Sequence, residues 1–217
     1  MQFLLTRDPE EFAARAEGFL AERVERNVLA TVLVRARRRA GATGLFAAGV
    51  DERGRTCAAA LRIAPWPLLV TALDADEASA LVAAWIAEDP AVPGVSAQPP
   101  TARAIVAAWI ARAGGRAECR MREAMHLLSE VRDPPRPARG RLRTASEGEQ
   151  DLLVAWERAF LVEAGVPGLE VAARTVAARL ADGAQLVWDD DGPVSTLTLS
   201  PAIAGVRRIG PVYTPPE

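Results

Sequence analysis

Apolar and polar residues alternate weakly from Met1 to Thr6, as in a strand, and then change to the three-and-four spacing of a helix. Asp8-Pro9-Glu10-Glu11 marks that change with an N-cap, a proline at the first helical position and an acid placed for a capping box, so a helix is expected to about Arg26. Asn27, the sole asparagine, is expected to cap a second helix through Arg39, closed by Gly41 and Gly44. Leu45 to Val50 and Thr56 to Ala64 flank Asp51-Glu52-Arg53-Gly54 as a hairpin, and Leu68 to Ala72 reads as a third short strand. Asp74 with Glu77 repeats the capping-box signature and opens a helix to about Glu88. After Pro93-Gly94-Val95 another helix runs from Thr101 to Ala113, ended by Gly114-Gly115, and Arg116 to Val131 reads as mostly extended. The predicted order is strand, two helices, three strands, helix, strand, helix, strand.

Asp133 to Gly140 carries Pro134, Pro135 and Pro137, which forbid helix and deny ladder hydrogen bonds. The expected division is therefore a domain over residues 1–132, a linker over 133–140 and a smaller domain over 141–217. In the latter, Arg141 to Thr144 reads as a strand, and Glu147 to Ala164 and Leu169 to Leu180 as helices. Ala184 to Trp188 and Val194 to Leu199 flank the turn signal Asp189-Asp190-Asp191-Gly192, and Arg207 to Thr214 is a further strand. The second part replays the first half of the first. The hexapeptide Val82-Ala-Ala-Trp-Ile-Ala87 also returns as Val106 to Ala111, which reads as two alanine-rich helices, each with a bulky anchor, packed closely on a sheet.

Composition narrows the chemistry. The 217 residues hold 26 basic and 28 acidic side chains, and every basic one is arginine. Without lysine there is no Schiff base and no phosphate-loop lysine. A single histidine, His126, builds no two-histidine metal site, and Cys57 and Cys119 form no Cys-x-x-Cys pair, so no metal is expected. The two thiols are expected to be buried, in a reducing compartment. The near-neutral balance argues against nucleic acid, Arg35 to Arg39 notwithstanding. No apolar run suits a membrane or a signal peptide, so the expected location is the cytoplasm.

The element order resembles that of the GNAT superfamily of acyl-CoA-dependent N-acetyltransferases. The likeness is most specific at Ile209-Gly-Pro-Val-Tyr-Thr-Pro-Pro-Glu217, which looks like the family's fourth strand, and at Gly140-Arg-Leu-Arg-Thr-Ala-Ser-Glu147 with the helix that follows. It implies an α/β protein of the α+β kind: two tandem GNAT-like domains with mixed, mostly antiparallel sheets flanked by helices, the second domain incomplete. It also implies acetyl-CoA as co-substrate and a small-molecule or peptide amine as acceptor. The family's fourth strand leads into an Arg/Gln-x-x-Gly-x-Gly/Ala loop that holds the cofactor pyrophosphate on backbone N–H groups. Nothing follows Glu217, and the matching turn of the first domain, Thr71 to Ala78, has three acids and no glycine. The first domain is therefore expected to be a cofactor-free copy and the chain to be impaired as an enzyme. A non-enzymatic interaction module is the alternative.

By the resemblance, Val212, Tyr213 and Thr214 bond the pantetheine arm through the strand's main chain, and Tyr213 brings a hydroxyl near the acetyl group. Trp156, Phe160 and Glu163 fall on nearly one helix face. In the family that helix borders the acceptor groove, where Glu163 would bind an amine or act as base; a core stripe with one exposed acid is the other reading. Ser195 and Thr196 are candidates for acceptor contacts. If the sheet ends at Arg207 to Thr214, its open edge invites self-association.

Overall fold

The computed structural model describes residues 1–38, 44–166 and 168–216. The chain forms two compact units, Met1–His126 and Leu127–Glu217, and each is a mixed α/β layer structure with a sheet flanked by helices.

The first unit has a five-stranded sheet in sequential order, β1 (Gln2–Thr6), β2 (Gly44–Val50), β3 (Thr56–Ile63), β4 (Leu68–Val70) and β5 (Val95–Ser96), antiparallel except for the β4–β5 pair. Its helices are α1 (Pro9–Ala21), α2 (Asn27–Arg38), α3 (Ala75–Trp85) and α4 (Pro99–Ala113). Helices cover both faces, which explains why β2 is apolar throughout instead of alternating. Phe46 meets Phe12 of α1 with ring centroids 5.3 Å apart. Leu45 and Ala47 belong to the opposite core, with Leu68, Val70, Leu81, Val82, Trp85 and Ile105. The first copy of the repeated hexapeptide closes α3 and runs into the turn after it, and the second lies within α4. The first is sealed around Trp85, whereas Trp109 of the second is partly buried at the edge of the same core.

The second unit has an antiparallel sheet of four strands in sequential order: β6 (Arg141–Thr144), β7 (Gln185–Asp189), β8 (Pro193–Leu199) and β9 (Ile209–Tyr213). Gly140 leads into β6 at φ +88°, where a Cβ would collide with the Asp189 carbonyl oxygen. Helices α5 (Gln150–Glu163) and α6 (Ala172–Ala181) pack on one face, around Leu153, Val176 and Val187. The register places Leu142, Leu186, Trp188, Leu197 and Val212 on the other face, where none of them is fully buried. Both units thus begin with strand, two helices and three strands.

Local signals are realised closely. Asp8 caps α1 and accepts from Glu10 N, although Glu11 turns aside to accept from the Thr6 hydroxyl instead of completing the box. Asp74 and Glu77 form a full capping box. The first helix is shorter than expected, ending at Ala21, and Asn27 is inside α2, where it accepts from Thr31 Oγ1. The expected stop at Arg39 and Gly41 lies outside the described residues.

Two expectations are corrected. Cys57 and Cys119 are both exposed, the first near the hairpin end of β3 and the second beyond α4. Residues 116–131 form no strand, and Met121, Met125, Leu127, Leu128 and Val131 are exposed. Alternation prepares a segment for a sheet, but a strand exists only where a neighbour supplies its ladder. No helix among the described residues is long and apolar enough to cross a membrane.

Candidate functional site

Tyr213 ends β9, the edge strand of the second sheet, and is paired with Thr196 of β8. That register turns its ring to the helix-covered face, where the three-residue spacing of Phe160 and Glu163 presents an aromatic edge and a carboxylate from α5. The Phe160 and Tyr213 rings meet edge-on, centroids 6.4 Å apart. The Tyr213 hydroxyl donates to Glu163 Oε1 at 2.8 Å. Tyr213 is buried while Glu163 is exposed, so the pair joins the interior to solvent. The carboxylate accepting its proton, together with burial, pushes the Tyr213 phenol above its ordinary value near 10.

On the far side of β9, Ser195 Oγ donates to the Tyr213 carbonyl at 3.1 Å, and Thr214 Oγ1 donates to Ser195 Oγ at 3.0 Å. Val212 has an exposed side chain on the helix-free face. Thr196 is committed to the interior, donating to the Leu186 carbonyl and accepting from Gln185 Nε2 at 2.7 Å. Gln185 Oε1 is buried beside it without a partner among the described residues. Trp156 packs against the core of Leu153, Val176 and Val187. The structure therefore gathers Glu163, Phe160, Tyr213, Ser195 and Thr214 around the end of β9, buries Thr196, and leaves Trp156 partly buried against the core.

An ion network that the residue pattern did not single out holds this sheet to its first helix. Arg143 of β6 reaches Glu149 at 2.6 Å and Asp189 of β7 at 2.5 Å. Glu149 also closes a capping box with Ser146. The Arg143 guanidinium holds the Glu149 carboxyl down to about 2 and lowers that of Asp189, and both carboxylates raise the pKa of Arg143. The Ser146-x-x-Glu149 spacing carried a readable local signal, but the reach to Asp189 had none.

The corresponding turn of the first unit is filled by its own side chains. Thr101, buried near the start of α4, accepts from Leu73 N at 2.9 Å and donates to the Leu73 carbonyl at 3.2 Å. Thr71 seals the end of β4 in the same way, exchanging bonds with the Ala59 main chain. Asp74, which follows Leu73, caps α3, so the helix N-terminus already has its anion.

Because Tyr213 is the sole tyrosine, alkaline titration of phenolate absorbance reads it alone. Its midpoint is expected above 10 in the parent chain and closer to 10 in Glu163→Gln; equal midpoints would mean that the Tyr213–Glu163 bond is not formed in solution.

Comparison with protein-family models, with curated proteins and with solved structures finds no match.

Proposed function

We propose that the second unit is the first half of a GNAT-type N-acetyltransferase domain, and that the end of β9 is where an acetyl group passes from acetyl-CoA to an amine. The observation that carries this reading is the hydrogen bond from Tyr213 to Glu163, which joins the strand of the resemblance to the helix expected to border the acceptor. Acetyl-CoA would supply an activated thioester. In transfer the amine nitrogen bonds the acyl carbon, the carbon–sulfur bond breaks, and the sulfur leaves as the thiol. Glu163 would hold the cationic amine or take its proton, with Tyr213 fixing one carboxylate oxygen and leaving the other to the acceptor. The main chain of β9 offers the developing oxyanion a fixed dipole.

The matching turn of the first unit does not suit a pyrophosphate, since Thr101 and Asp74 fill it. The first unit is accordingly read as a cofactor-free copy of the fold. The same filled turn favours a second reading, in which the chain is a non-enzymatic interaction module derived from the acetyltransferase fold.

Calorimetric titration with acetyl-CoA and with CoA tests the filled turn. Binding weaker than about 100 μM, or about −5.5 kcal/mol, is expected for both. A micromolar constant would mean that the pyrophosphate is held by residues not identified above.

A further inference from the structure

We draw no further inference here: the strongest candidate, the exposed apolar run over residues 116–131 beyond α4, with Met121, Met125, Leu127, Leu128 and Val131 all exposed, carries nothing because no feature of the structure shows what covers it.

Discussion

Trp85→Ala is expected to lower the stability of the first unit by about 3–5 kcal/mol, while Trp109→Ala, in the second copy of the same hexapeptide, costs about 1 kcal/mol. The difference comes from packing alone. Trp85 and Val82 are 0% exposed within the core between α3, α4 and the sheet, whereas Trp109 is partly buried and Ile110 is 36% exposed. Trp85→Phe should cost much less than Trp85→Ala. The buried indole N–H of Trp85 has no acceptor among the described residues, so removing it relieves an unsatisfied donor while the ring still fills most of the space. Urea unfolding of the three variants measures this, and equal losses for Trp85→Ala and Trp109→Ala would contradict the packing.

Removing Arg143 is the largest change expected in the second unit. Arg143→Ala leaves the partly buried Glu149 and Asp189 without their cation and should lower the unfolding midpoint of the second unit. The loss should depend on pH. Glu149 titrates at about 2 in the folded unit, below its ordinary 4.5, so the unfolded chain binds more protons between those values. Its contribution is complete above pH 4.5 and disappears as pH falls through about 2; Asp189, also lowered, acts with the same sign. Arg143→Ala should flatten that acid limb, which unfolding midpoints from pH 2 to 7 will show. A parent no more acid-sensitive than the variant would mean that the network contributes no stability.

What could be read along the chain is what adjacent residues decide. The Asp74–Glu77 box, the Asp8 cap and the turn at Asp189 to Gly192 are contests among a few neighbours, and the fold resolves them as the spacing foretold. Phe160 and Glu163, which share a helix face by their spacing, meet Tyr213 in the fold, a contact that the spacing alone did not indicate. Trp156 shares that stripe but packs, partly buried, against Leu153, Val176 and Val187, a choice of neighbour that periodicity alone does not make. Pairings across long sequence distances left no local trace. Thr101 closes on Leu73 from 28 positions away, and Arg143 meets Asp189 from 46. The exposed Cys57 and the unpaired run at 116–131 show the same limit, since exposure and pairing are properties of the partner as much as of the segment.

The reading of β9 as the strand that receives the acyl arm is tested most directly by following backbone amide resonances of the full chain during titration with millimolar acetyl-CoA. The amides of Val212, Tyr213 and Thr214 should move together with concentration, the indole and amides of the Trp85 core should stay, and Leu73 and Asp74 should not respond because Thr101 and Asp74 already fill their turn. Shifts centred on Leu73 and Asp74, or none at Val212 to Thr214 at saturation, would contradict the assignment of the site to the second unit.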